Sequence, residues 1–240
     1  AGYAIVPSDC PARYGADRVP GATILEPALV ALADVTSGTV KSGLVNANRY
    51  PGGSLTRRGG RLVAQPLGKG ERKVRFSDGR ERTVSPFPWG DLVTAYHTTG
   101  IPNITSYLAL PALPGMGLLS GPAMKLLGRK SVQRLADRAA TLMFEGPSEE
   151  AQRTGRTYLW ARASGPDDAA EAWLETGEVY RFTALAGVQL VERILAAGKK
   201  GEPLAGTVTP AGAFGADFVL GIEGAHRFDS PEEYTTDRSK

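Results

Sequence analysis

Residues 85–110 read SPFPWGDLVTAYHTTGIPNITSYLAL, and the local chemistry of this stretch sets the class of fold. Gly90-Asp91 suits the start of a short helix over 92–98, with Asp91 as its cap, and Gly100 suits its end. Pro102 prevents the helix from resuming, because it has no N–H and its ring clashes with the preceding turn. Ile104 to Leu110 then alternates apolar and polar residues as a half-buried strand does. A helix between extended segments, joined by tight turns, predicts a strand–helix–strand unit.

Outward from this unit the strands outnumber the helices. Upstream, 61–67, 71–76 and 80–84 read as hairpin strands, divided by Gly68-Lys69-Gly70 and by Ser77-Asp78-Gly79; Pro51 to Gly60 reads as loop. Asp-Gly between alternating segments is a strong hairpin signal, since both residues tolerate positive φ. Lys73, Arg75, Arg80 and Arg82 are expected on a basic, solvent-facing side of that sheet. Downstream, 157–163 and 170–176 form a second hairpin with Trp160 and Trp173 packed together. The clearest helix is 183–197, with Leu185, Val188, Val191 and Leu195 as its apolar stripe and Gly198 as its stop. Ala22 to Asp34 fits a strand or a short helix. The expected fold class is α+β: a mixed or antiparallel sheet, helices packed on one face, and a helical insert around 111–155. Residues 1–226 are expected to form one domain and 227–240 a polar tail.

Composition narrows the function. The chain has 240 residues, 42% apolar and 22% charged, with 28 basic and 25 acidic residues and a net charge of +3. So mild a surplus, spread along the chain, argues against nucleic acid as a partner. One cysteine, Cys10, excludes an internal disulfide, fits a cytoplasmic setting, and leaves no Cys/His cluster for a transition metal. No apolar run reaches the ~20 residues of a membrane span. The opening AGYAIVPSDC has neither the basic start nor the apolar core of a signal peptide, and reads as a boundary inside a longer polypeptide.

Candidate polar groups cluster in three places. In the quoted stretch, His97 reads as a proton donor or as a cation at a helix C-terminus, and Tyr96 and Tyr107 as hydrogen-bond donors to a substrate carbonyl or as packed aromatics. Asp91 and His97 do not share a helical face, so Asp91 reads as a cap rather than as an orienting carboxylate. Near the start, Pro7 to Pro11 reads as a turn that caps a short helix, with Ser8 or Asp9 as N-cap and Pro11 in the first turn, unless Asp9 faces a ligand. Ser37, Thr39 and Ser42 surround Gly38 beside Lys41, a corner able to hold a carboxylate or phosphate or to cap a helix. Residues 111–144 mix apolar residues with Gly, Pro and basic residues, as a packed helical insert, a lid over a greasy substrate or a membrane-surface contact would.

Pro88-Trp89-Gly90-Asp91, Tyr96, Thr99-Gly100-Ile101-Pro102-Asn103 and Tyr107, followed by Thr209-Pro210 and Ala213-Phe214-Gly215-Ala216-Asp217-Phe218-Val219-Leu220, resemble the C-terminal domain of saccharopine dehydrogenase-like oxidoreductases, most closely the trans-acting enoyl reductases, the last segment looking like that family's terminal strand. The SGT run at 37–39 resembles the same family. The resemblance runs from residue 7 to residue 220. It implies an NAD(P)-dependent enzyme acting at a C=N, C=O or activated C=C bond, with a Rossmann domain holding the nucleotide. That domain is absent from this chain, so the chain alone is expected to be inactive. The resemblance also implies a homodimer and a small-molecule or lipid-like substrate. The expected catalytic residues are His97, Tyr96 and Tyr107, and the expected substrate contacts are Asp9, Ser37, Thr39, Ser42, Asp91 and Asn103. The alternative is a nucleotide-free binding or dimerisation module, lipid-associated through 111–144.

Overall fold

The computed structural model describes residues 2–30, 36, 38, 53–66, 69–109, 146–201 and 204–233. Residues 111–144 of the insert expected around 111–155, and the candidates Ser37, Thr39 and Ser42, lie outside the described residues.

Helix α1 (Val6–Arg18) comes first, 13 residues long where a turn and a short helix were expected. Pro7 sits in its first turn, where a missing N–H costs nothing. Pro11 is inside the helix but early: Asp9 N–H still bonds Ile5 C=O at 2.9 Å, so one hydrogen bond in the second turn is lost and the helix continues. Strand β1 (Ile24–Val30) settles the ambiguous 22–34 stretch in favour of strand. The first hairpin is β2 (Gly53–Arg58) with β3 (Arg61–Pro66), turning at Gly59-Gly60; the whole of β2 falls in the expected loop. The second is β4 (Arg72–Arg75) with β5 (Glu81–Pro86), around the expected Asp78-Gly79 turn.

Helix α2 (Asp91–Thr99) follows, closed by Gly100 at φ 72° with its N–H on Tyr96 C=O. A left-handed cap of this kind favours glycine. No atom would crowd a Cβ at Gly100, so Gly100→Ala isolates the backbone cost. It is expected to lower stability by ~1 kcal/mol, read as a reduced urea midpoint at unchanged m-value.

The strand expected over 104–110 is broken into β6 (Asn103–Ile104) and β7 (Tyr107–Ala109), both parallel to β1 in one continuous register. The gap, Thr105-Ser106, falls opposite Glu26-Pro27, and Pro27 has no N–H to offer the ladder. The sheet forks there. Strand β6 passes the ladder to β2–β3, and β7 passes it to β5–β4. On the other side of β1 lie β8 (Arg156–Ser164), β9 (Ala169–Gly177) and β10 (His226–Phe228), all antiparallel to their neighbours. The described strands thus form one ten-stranded mixed sheet, which with its helices makes an α+β fold.

The remaining helices are α3 (Glu149–Thr154), α4 (Val179–Lys199) and α5 (Pro210–Phe214), with a 3₁₀ turn over Ala216–Gly221. The 213–220 segment was expected as a strand; Gly215 at φ 82° separates two short helical turns instead. One sheet face is covered by helix: Val6, Cys10, Leu29, Leu159, Leu174, Phe182 and Phe218 pack together, as do Ala12, Leu25, Leu92 and Ile104. On the opposite face the β4–β5 hairpin folds over Ala28, Trp160, Trp173 and Phe228 through Val74, Phe76 and Val84. Phe228 is therefore core, and the expected polar tail begins later than residue 227. Two expected faces are corrected. Helix α4 buries Phe182, Ala186 and Leu190, leaving Val188, Val191 and Leu195 exposed. The expected basic hairpin face is interrupted, since Lys73 pairs with Glu81 and Arg82 pairs with Asp78 while lying over the Phe76 ring.

Candidate functional site

Strand periodicity puts residues two apart on one face. In β1 this sends Leu25 and Leu29 towards the helices and Ile24 and Glu26 to the other side; in β8 it sends Ala161 and Ala163 towards the helices and Arg162 and Ser164 to the other side. Where the fork draws β6 and β7 towards different hairpins, a cleft of about 300 Å3 opens on the side away from the helices. It is lined by Ile24, Glu26, Arg58, Asn103, Thr105, Tyr107, Arg162 and Ser164.

Its polar groups are tied together across strands. Glu26 lies opposite Arg162, and Arg162 opposite Glu171, in three adjacent strands. The Arg162 guanidinium is 3.7 Å from Glu26 and 3.5 Å from Glu171. Glu26 is held more closely by Arg72 at 2.6 Å, and accepts from the Tyr107 hydroxyl at 3.3 Å. Arg72 also lies over the Trp160 ring at 4.9 Å. Burial, and then the negative charge of Glu26, raise the Tyr107 hydroxyl above its ordinary pKa, so it is a neutral donor at physiological pH. Thr105 sits at the sheet gap and accepts from Arg58 at 3.1 Å, while sharing a hydrogen bond with Thr56.

Of the three expected catalytic groups only Tyr107 is in this cleft. Tyr96 and His97 are on α2, on the helical side of the sheet. Tyr96 lies beneath the Arg57 guanidinium, 4.1 Å away, and His97 is exposed with its ring beside Tyr96. Arg57 is itself buried, donating to Leu92 C=O at 2.7 Å, so Tyr96 belongs to a packing cluster. Asn103 lines the cleft, but both ends of its amide are engaged: Nδ2 donates to Thr23 C=O at 2.8 Å and Oδ1 accepts from Gly59 N–H at 3.0 Å. It pins the β2–β3 turn to the entrance of β1.

Asp91 and Asp9 are buried between helices. The Asp91 carboxyl accepts from Ser106 Oγ and lines a small cavity of about 10 Å3, together with Pro7, Ser8, Pro11 and the β1–β8 backbone. Burial pushes its pKa up to about 7, and the hydrogen bonds from Ser106 and the Leu92 N–H limit the rise. Asp9 accepts from Thr98 Oγ1 and, at 2.8 Å, from the Ala211 N–H. Burial raises its pKa as well. Cys10 is fully buried and its thiol is pushed up to about 12, again by burial first, so it is no nucleophile at neutral pH.

The same carboxylates decide whether these residues suit the phosphates of a dinucleotide. A phosphate binds a helix N-terminus through free N–H groups and the positive end of the dipole. Here α2 starts at buried Asp91, Glu178 accepts from Tyr180 and Arg181 N–H at the start of α4, and Asp9 takes the Ala211 N–H of α5. Each of these N-termini already has a buried acid that takes up its N–H groups, leaving them unavailable to a phosphate. The described residues do not fit the nucleotide of NAD(P).

Among the described residues there is no group of three or more His, Cys, Asp or Glu placed to hold a metal, and no helix long and apolar enough to cross a membrane. The sequence motifs did not single out Glu26, Thr105 or Arg162, which help to line the cleft. The available signal was an acid at the centre of an apolar strand, Ile24-Leu25-Glu26-Pro27, which needs a cross-strand partner if that face is covered. No protein-family model matches the chain, and no curated protein matches it.

Proposed function

We propose that this chain is the substrate-side domain of an NAD(P)-dependent oxidoreductase acting at a C=N, C=O or activated C=C bond, with the substrate in the cleft at the sheet fork and the nucleotide held by a separate domain. The observation that carries this reading is the placement of Tyr107, a neutral hydroxyl hydrogen-bonded to Glu26, in a cleft floored by sheet residues. The saccharopine dehydrogenase-like motifs at 88–107 and 209–220 support it, as do the acid-filled helix N-termini, which suit a domain that leaves the phosphates to another. In this reading the substrate lies against a preformed wall, and the Tyr107 O–H gives up its 3.3 Å hydrogen bond to Glu26 to donate to the substrate's polar atom, Glu26 remaining paired with Arg72. The homodimer that accompanies this reading has a face available in the exposed Val188, Val191 and Leu195 of α4.

The test is oxidation of NADH or NADPH by the intact gene product against a panel of imines, carbonyl compounds and enoyl thioesters. Tyr107→Phe and Arg162→Gln are expected to lower kcat/KM by about tenfold, the loss of one hydrogen bond to a reacting or anchoring group, with nicotinamide affinity unchanged. Failure of the intact protein to bind or oxidise a reduced nicotinamide would favour the nucleotide-free binding module.

A further inference from the structure

We propose that the cleft takes an anionic small molecule, holding its carboxylate or phosphate group between the guanidinium groups of Arg58 and Arg162. This names the substrate class of the site just described and rests on that site being the place where substrate binds. It follows from how the charges around the cleft are spent. The lining carries two arginines and one acid, Arg58, Arg162 and Glu26. Glu26 is satisfied without a ligand: Arg72 contacts it at 2.6 Å and Tyr107 donates to it. Arg162 is less engaged. Its two carboxylate neighbours lie at 3.7 and 3.5 Å, beyond good hydrogen-bond distance, and 34% of its side chain is exposed. Arg58 has no carboxylate partner among the described residues. Its Nη1 donates to Thr105 Oγ1 and to Arg57 C=O, leaving its other N–H groups without a partner among them.

A cation would meet Arg58 and Arg162 and find its one prospective partner already neutralised. An apolar ligand would strip water from two guanidinium groups with no compensation. An oxyanion meets donors on both sides, in the forked geometry that guanidinium offers to carboxylate and phosphate. The hydroxyls of Thr105 and Ser164 add polar contacts on the same wall. The Arg58–Thr105 hydrogen bond holds the arginine at the rim before any ligand arrives, which lowers the ordering cost of binding.

The test is calorimetric and thermal-shift titration of the intact protein with inorganic phosphate, succinate and acetate, at constant ionic strength held with chloride. Tetramethylammonium serves as the cation control. Saturable binding of at least one oxyanion, and none of the cation, is expected. Phosphate alone would identify a phosphate-bearing ligand; the carboxylates alone would identify a carboxylate. Arg58→Gln, at the exposed rim, is expected to weaken that binding by about tenfold, the loss of one charge-assisted contact. Glu26→Gln is expected to strengthen it severalfold by freeing Arg72 and Arg162, an effect that a purely structural role for Glu26 does not produce. Absence of saturable oxyanion binding, or binding unchanged in Arg58→Gln, overturns the proposal. Oxyanion binding without nicotinamide oxidation keeps the anion site and removes the redox reading. Nicotinamide oxidation with uncharged substrates, unaffected by Arg58→Gln, does the reverse.

Discussion

Asp91→Asn is expected to remove a large pH dependence from the stability of this protein. The Asp91 carboxyl is 2% exposed, and burial raises its pKa from the ordinary 3.8 to about 7. The sign follows from proton binding. Between those two values the folded protein keeps a proton that the unfolded chain releases, so folding is favoured at low pH. The contribution is complete below 3.8 and is lost as pH rises to about 7. A shift of this size corresponds to ~4 kcal/mol over the window. Asparagine keeps the shape and the acceptor for Ser106 without the ionisation. Urea unfolding of both proteins at pH 5 and pH 8 therefore separates the effect. The variant is expected to gain several kcal/mol relative to the parent between the two pH values, while groups common to both, such as Asp78 with its lowered pKa, cancel. A stability difference equal at the two pH values would refute the buried-acid account. The consequence reaches the site, because Ser106, which Asp91 holds, adjoins Thr105 in the cleft wall at the fork.

The parts of this fold that were readable in the sequence are those decided within a few residues. Gly100 after a helix and Gly79 after Asp78 between strands take positive φ wherever the chain goes next, and both turns fall where they were expected. The β8–β9 hairpin was also local, with Trp160 opposite Trp173. What was missed depends on distant packing. Pro11 normally argues against a helix interior, yet α1 tolerates it because the lost bond is early and the helix is pressed on the sheet. The apolar stripe of α4 was read from Leu185, Val188, Val191 and Leu195, but Phe182, Ala186 and Leu190 face the sheet; a helix apolar on two sides offers no periodic signal to choose between them. The cleft was hidden for a further reason. Glu26, Arg162 and Glu171 meet only through the registers β1–β8 and β8–β9, and Arg58 joins them only because Pro27 interrupts a ladder formed with a segment nearly eighty residues away in register, Leu25 opposite Ile104. Proximity among the candidates was misleading for the same reason. Tyr96 and Tyr107 are close in sequence and lie on opposite sides of the sheet.

Asp9→Ala is expected to destabilise the protein by ~3 kcal/mol, and Asp9→Asn by far less. Asp9 is fully buried in α1 and joins three elements: its carboxyl takes the Thr98 hydroxyl near the end of α2 and the Ala211 N–H at the start of α5, beside Thr209, whose own hydroxyl caps that helix by accepting from Gly212 N–H at 3.0 Å. Alanine leaves the buried Ala211 N–H without its acceptor, costing roughly 1–3 kcal/mol, breaks the tie to Thr98, whose hydroxyl keeps only Thr94 C=O at 3.0 Å and Thr209, and opens a void the size of the carboxyl group. Asparagine retains an acceptor for Ala211 and offers Thr98 an N–H, so the clamp survives in neutral form. Burial raises the Asp9 pKa. Because the negative charge of Asp9 also raises the pKa of Asp91, Asp9→Asn is expected to shift the Asp91 titration to lower pH, visible as an earlier loss in the stability profile. Urea unfolding at pH 6 of the parent and both variants decides the first point. A cost below ~1 kcal/mol for alanine, or equal costs for alanine and asparagine, would show that Asp9 does not clamp α1, α2 and α5 through hydrogen bonds.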